Sequence, residues 1–139
     1  GIEIYNGQPI FYSLGDFMFQ NETLDRLPSD NYEAFDLGEQ HHVADFNDRR
    51  YENETKGFPA VAEVWEAVIA VPKFRNRELV EVALYPIDLA FGEPVQVRGR
   101  PLLANDELGE KILDYLQERS EPYGTRIDIR RGVGYVELD

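Results

Sequence analysis

Two short runs rich in apolar residues flank a polar dipeptide within the first fourteen positions, and this pattern predicts a β-hairpin. Residues 2–5 and 9–14 form two short apolar runs on either side of Asn6-Gly7. Asn-Gly readily adopts the two positive φ angles of a type I′ turn, which is the usual connection between hairpin strands. Gly15 then permits a sharp change of direction before residues 17–19. We expect Phe17, Met18 and Phe19 to pack together into the core.

Between residues 21 and 56 the sequence becomes polar, acidic and irregular. Ser29 can cap a short helix that runs through Phe35 and ends near Gly38, and a second helix is predicted from about residue 43 to residue 51. This stretch is longer than the usual connections inside compact domains. It therefore predicts an insertion-like lobe or a loop that folds over another part of the protein.

A second hairpin is predicted in the middle of the chain. Residues 62–74 and 79–84 are rich in β-forming residues, and polar residues 75–77 lie between them. Proline cannot donate a hydrogen bond to a neighbouring strand. We therefore expect Pro86 to close the outgoing strand.

The last third of the chain predicts one clear helix followed by two strands. A helix over about residues 105–119, ending near Ser120, is indicated by apolar residues at helical spacing: Leu108, Ile112, Leu113 and Leu116. Residues 127–129 and 133–138 are typical of strands joined by a turn at Arg131-Gly132. Gly132-Val133-Gly134 accordingly predicts a hairpin turn and not a phosphate-binding loop. Hairpins around a single helix predict an α+β fold without regular βαβ units.

Length and charge narrow the classes of function. A chain of 139 residues fits one domain or part of a domain. The net charge of −13 disfavours nucleic acid and anionic lipid as partners. The chain has no cysteine, which excludes a disulfide framework and thiolate metal sites. No apolar run approaches the roughly 20 residues that a membrane-spanning helix needs.

A polyanionic substrate such as polyglutamate would need a locally basic surface in this acidic chain. The candidates are Arg98 with Arg100, and Arg126 with Arg130 and Arg131. Clusters of this size more often belong to a solvated face of the protein. Both interpretations stay open at the level of sequence.

The candidate metal ligands lie in the polar lobe. His41 and His42 are the only histidines, and Asp45 and Asp48 follow at spacings that can share a helix face. Adjacent histidines point in different directions in regular structure, so a polar loop or a helix entrance is the more common interpretation. Asp16 is a separate candidate near a site, because it follows a turn glycine at a strand end. Its alternative role is a bond to nearby backbone.

Residues 1–17, which end in Tyr-Ser-Leu-Gly-Asp-Phe, resemble the segment G(I/V)E-Y-x-G-x-PI-x-YSLGNF of the CapA family of capsule and poly-γ-glutamate synthesis proteins. Residues 58–68, 84–89, 98–101 and 122–134 continue the resemblance in the family's order. Asp16 departs from the pattern, because it replaces an amide that donates and accepts with a carboxylate that only accepts when ionised. A role carried over to position 16 is therefore in doubt.

The resemblance implies that the chain is the C-terminal part of a calcineurin-like metallophosphatase, a four-layer α/β/β/α sandwich. It also implies a bacterial, cell-envelope or extracytoplasmic protein whose divalent metal is bound by motifs upstream of residue 1. No cofactor is then expected within this chain. The implied partners are the upstream part of the same fold and the capsule or polyglutamate synthesis proteins.

Three functions follow as expectations. The first is a structural segment, without catalytic residues of its own, of a metal-dependent phosphoesterase-type hydrolase. The second is a non-catalytic module that docks a synthesis partner or a cation through the lobe. The third is a separate metal hydrolase built on the two histidines and their neighbouring aspartates. The chain also begins inside a strand, so an exposed sheet edge is expected to favour homo-oligomers or pairing with the missing half.

Overall fold

The computed structural model describes residues 1–138, apart from the side chain of Glu22, and shows the predicted α+β fold with antiparallel strands. Strands β1 (Ile2–Tyr5) and β2 (Gln8–Phe11) form a separate two-stranded hairpin. Asn6 and Gly7 have φ angles of 49° and 72°, as a type I′ turn requires. The first predicted hairpin is confirmed.

The remaining strands form one five-stranded antiparallel sheet. Its order is β3-β4-β7-β6, and β5 pairs with β4 near the end of that strand. The strands are β3 (Glu66–Arg75), β4 (Glu78–Asp88), β5 (Leu102–Leu103), β6 (Ile127–Arg130) and β7 (Val133–Val136). Arg131 and Gly132 both have positive φ in the tight turn between β6 and β7.

The described part of the chain contains three α-helices: α1 (Ser29–Glu33), α2 (Val43–Arg50) and α3 (Asp106–Ser120). The side chain of Asn105 accepts a hydrogen bond from the Leu108 amide at 2.9 Å and caps the start of α3. The predicted bounds of α2 and α3 are confirmed within about one residue. None of the helices in residues 1–138 is long and apolar enough to cross a membrane.

The main core lies between α3 and one face of the sheet. Ile112, Leu113 and Leu116 of α3 are buried there, as the helical spacing predicts. They pack with sheet and hairpin residues Val68, Val82, Leu84, Val136 and Ile2. The hairpin is held to the end of α3 by the Ser120 hydroxyl, which accepts from the Ile2 amide at 3.0 Å and donates to the Leu116 carbonyl at 2.7 Å.

A second, smaller core covers one end of the opposite sheet face. Trp65, Ala67, Ile87 and Leu89 are buried in it. The aromatic rings of Phe19 and Phe58 pack against Trp65 at centroid distances of 5.0 Å and 5.9 Å. Tyr51 of the lobe packs against Phe58 at a centroid distance of 4.5 Å, so an aromatic cluster attaches the lobe to the sheet.

The prediction for Pro86 is wrong, because β4 continues to Asp88 and pairs Pro86 with Val68. The Pro86 carbonyl accepts from the Ala104 amide at 3.0 Å, which directs this residue's backbone groups away from β3. In an antiparallel strand the N–H and C=O of one residue point to the same side. The missing N–H therefore costs no bond to β3.

The burial of residues 17–19 differs from the prediction. Only Phe19 joins a core cluster, whereas Phe17 and Met18 are 57% and 48% exposed. The Phe19 amide donates to the Gly99 carbonyl at 2.8 Å, which holds this one residue against the second core. The expectation that all three side chains are in the core is wrong.

Three element boundaries also differ. Ser29 is the first residue of α1 and not its cap, since the preceding Pro28 occupies the cap position, and α1 ends at Glu33. Ala62–Trp65 forms a 3₁₀ turn before β3 and does not belong to the strand. The turn at Arg131-Gly132 and the start of the last strand at Val133 are confirmed, but β7 ends at Val136 and not at Leu138.

Replacing Gly134 with alanine is expected to destabilise the fold. A Cβ atom at this position would lie 2.9 Å from Leu113 Cδ2, 3.0 Å from Ile127 Cγ2 and 3.3 Å from Leu84 Cβ. Overpacking of this kind costs about 1–3 kcal/mol, which urea denaturation would measure as a lower free energy of unfolding.

The matched control is Gly38→Ala. Its Cβ would meet the mobile end of the Gln40 side chain, so a loss of less than about 0.5 kcal/mol is expected. Equal stability of the two variants would contradict the close approach of α3 to β7.

Candidate functional site

The lobe contains a cavity of about 430 Å³ that brings both histidines to one place. Apolar residues form one part of its wall: Leu24, Val43, Pro59 and Val95. Polar and aromatic residues form the rest: Asp25, Tyr32, His41, His42, Asn47, Asp48, Tyr51 and Glu54, with Ala44 between them. The cavity is the feature of the lobe best suited to hold a small ligand, because it combines an apolar wall with convergent polar groups.

The start of α2 positions the two histidines. His42 precedes the first residue of the helix, and its amide donates to Asp45 Oδ2 at 2.7 Å. His41 Nδ1 accepts from the Gly38 amide at 3.0 Å. The side chains of Asp45 and His41 thus accept hydrogen bonds from nearby backbone amides, as helix-capping and turn residues commonly do.

The predicted metal candidates are neighbours but do not form a ligand set. His41, His42 and Asp48 line the cavity, whereas Asp45 lies on an adjoining shallow depression with His41 and Asp48. In residues 1–138, no group of three or more His, Asp or Glu side chains is arranged to hold a metal ion. The resemblance places the ligands of its divalent metal upstream of residue 1, outside the described residues.

Arg98, a candidate for binding a polyanion, is buried between the sheet and the lobe. Its side chain is 3% exposed and lies 2.5 Å from Glu54. The guanidinium also stacks over the Trp65 ring at 5.2 Å. Arg100, by contrast, is exposed. The two arginines thus differ in environment, and Arg98 joins distant parts of the chain.

The other basic candidates lie on the β6–β7 hairpin. Arg130 pairs with Asp128 at 2.5 Å and stacks over Tyr135 at 5.6 Å. Arg131 occupies the turn with a φ of 52°, and Arg126 precedes β6. The Arg130 charge is therefore largely offset by its own strand neighbour.

Asp16 is exposed and lies beside the edge of β3, outside the lobe cavity. The preceding segment is fixed, because the Val68 amide donates to the Leu14 carbonyl at 2.8 Å. Gly15 has a φ of 83°, and a Cβ there would lie 2.7 Å from the Glu66 carbonyl oxygen. The backbone at position 15 thus requires glycine. The Asp16 carboxylate remains accessible to solvent.

Two polar groupings escaped the sequence analysis. A groove beside α3 is lined by acidic residues: Glu63, Glu66, Glu107, Glu110, Asp114 and Glu118. Lys111 crosses it to reach Glu66 at 2.6 Å, and this bond raises the pKa of the lysine. On the hairpin, the Tyr12 hydroxyl donates to Glu3 at 2.5 Å, which raises the pKa of Tyr12 to about 12. The acidic groove could have been predicted in part from the sequence, because the acidic residues of α3 recur at helical spacing.

Two longer proteins are similar to this chain over nearly its whole length. The chain is 40% identical over 147 aligned residues to two proteins of Sinorhizobium fredii (strain NBRC 101917 / NGR234), "Uncharacterized protein y4sH" and "Uncharacterized protein y4uA". The alignments cover 99% of this chain and 31% of each relative, so the chain spans about a third of their length. No family model matches the chain.

Replacing Arg98 with methionine is expected to loosen the lobe. Methionine keeps much of the apolar volume but removes the ion pair with Glu54 and the cation–π contact with Trp65. Because Glu54 is half exposed and can regain water, we expect a loss of about 1–3 kcal/mol in the free energy of unfolding. Trp65 is the only tryptophan, so its fluorescence should change with the unfolding curve.

Arg100→Met is the control for removal of one positive charge. Its exposed position predicts a change below about 0.5 kcal/mol and no shift in Trp65 emission. If both variants behaved alike, the buried role of Arg98 would be refuted.

Proposed function

We propose that this chain is the C-terminal structural segment of a CapA-like protein of capsule or poly-γ-glutamate synthesis, and that it packs its open sheet face against the rest of that protein. The observation that carries the proposal is this open face. We define it by the side chains Val71, Tyr85, Val133 and Tyr135, which are exposed or half-buried on the side of the sheet away from α3. The sequence resemblance supports the proposed family, and the open face supports the proposed packing surface.

The alternation of side chains places these residues opposite α3. Val68, Val82 and Leu84 point towards α3 in the main core. Since successive residues of a strand face opposite sides, Val71 and Tyr85 point the other way. The second core covers the end of that face near Ala67 and Ile87 and extends to Ile69.

The centre of the open face is apolar and its borders are charged. Val71 is 46% exposed, and Tyr85 and Tyr135 are half-buried. Ion pairs flank this centre, with Lys73 and Glu81 at 4.0 Å on one side and Asp128 with Arg130 on the other. An apolar centre within a polar rim is the usual composition of a surface that packs against protein.

The total exposed surface supports the same proposal. The chain exposes 9576 Å², whereas a folded monomer of this size exposes roughly 7,400 Å². Part of the difference comes from the lobe. The excess of about 2,200 Å² is nevertheless comparable to the area that permanent protein interfaces bury.

The rest of the longer protein would complete the sandwich and hold the metal. In this proposal the divalent metal supplies Lewis-acid chemistry for phosphoester hydrolysis, and residues upstream of Gly1 bind it. The role of this chain is to provide the sheet, the covering helix α3 and one wall of the cleft. The open face is the contact through which it does so.

The proposal predicts that charge on the open face prevents assembly. The double variant Val71→Lys and Tyr135→Lys should lose co-elution with the separately produced remainder of the longer protein in size-exclusion chromatography, because two buried charges would be unpaired. We expect at least about a hundredfold loss of affinity. Tyr5→Lys is the control, since Tyr5 is 58% exposed on the hairpin and outside the open face.

Co-elution of the double variant at wild-type strength would overturn the packing proposal. The enzymatic part is tested separately on the intact longer protein, by metal analysis and by hydrolysis of a phosphodiester with and without chelator. Absence of both bound divalent metal and metal-dependent hydrolysis would remove the phosphoesterase while leaving the structural role in place.

A further inference from the structure

The cavity of the lobe has the size and lining of a site for a small cation. Its volume of about 430 Å³ lies within the range of small-molecule sites, roughly 300–1,000 Å³. Apolar residues Leu24, Val43 and Val95 line one part, and carboxylates line another. A ligand that satisfies both must carry a charged or polar head on an apolar body.

The charge of the lining selects the sign of that head. Asp25, Asp48 and Glu54 line the cavity, and its described lining includes no lysine or arginine. Glu54 already pairs with Arg98, which leaves the exposed carboxylates of Asp25 and Asp48 for a ligand. In a chain of net charge −13 the surrounding potential adds to this preference and repels anions.

The aromatic residues strengthen the case for a cation. Tyr32 and Tyr51 belong to the lining, and tyrosine rings attract ammonium and guanidinium groups through their faces. The Arg50 guanidinium, which does not line the cavity, already lies 5.2 Å from the centre of the Tyr51 ring, so Tyr32 is the ring left for a ligand. The same lobe therefore combines carboxylates with rings that accept cations.

We infer that the lobe cavity binds a primary ammonium group carried on a short aliphatic chain. The ammonium lies between Asp25 and Asp48 and beside the Tyr32 ring. The aliphatic part contacts Leu24, Val43 and Val95. This inference stands apart from the proposed packing of the sheet, because it needs only residues of the lobe and of the loop that contains Val95.

The experiment uses three probes of similar length on the 139-residue chain at low salt and neutral pH. Calorimetric titration should show saturable binding of n-butylammonium, at least about tenfold weaker binding of 1-butanol, and no binding of butyrate. The ammonium should shift the backbone NMR signals of Leu24, Val43 and Val95. Equal binding of the three probes, or shifts located elsewhere, would overturn the inference.

A pair of double variants separates the site from the overall charge. Asp25→Asn with Asp48→Asn should weaken n-butylammonium binding at least about tenfold, since hydrogen bonds to charged groups contribute that much. Asp114→Asn with Glu118→Gln removes the same charge from the outer face of α3 and should change affinity less than about twofold. Equal weakening by both pairs would refute a site in the lobe, and Trp65 fluorescence checks that each variant is folded.

Discussion

The close approach of α3 to the sheet determines the arrangement of the other elements. Two glycines permit it: a Cβ on Gly109 would lie 3.1 Å from Pro86 Cγ, and one on Gly134 would lie 2.9 Å from Leu113 Cδ2. Any larger residue would push the helix outward and open voids in the core, which close-packed interiors do not tolerate well. The first hairpin depends on the same helix, because Ile2 is bound to Ser120 at its last turn.

Local chemistry was enough to predict the elements whose conformation is set by neighbouring residues. Asn6-Gly7 and Arg131-Gly132 specify tight turns through their backbone preferences, and the apolar spacing in α3 specifies its buried face. These features need no information about distant residues. The hairpins and the helix were therefore accessible from sequence alone.

The errors arose where distant contacts decide the outcome. Pro86 remains in β4 because its backbone faces Ala104 and not β3, and no local pattern encodes that direction. The core status of Phe19, and the exposure of its two neighbours, depends on a bond to Gly99 eighty residues later. The candidate site was affected in the same way, since the 44-residue separation of Glu54 and Arg98 hid the pairing that buries the arginine.

The segment that contains the lobe begins and ends beside the start of β3. Gly15 lies against the backbone of Glu66 and Ala67, so the two ends of the intervening segment are in van der Waals contact. The entropic cost of closing such a loop rises only slowly with its length. The parts of the segment that lie outside the second core and the Glu54–Arg98 pair can consequently change in length without altering the strands to which the segment is joined. In an evolving protein, this geometry makes the lobe a place where recognition can change while the scaffold stays the same.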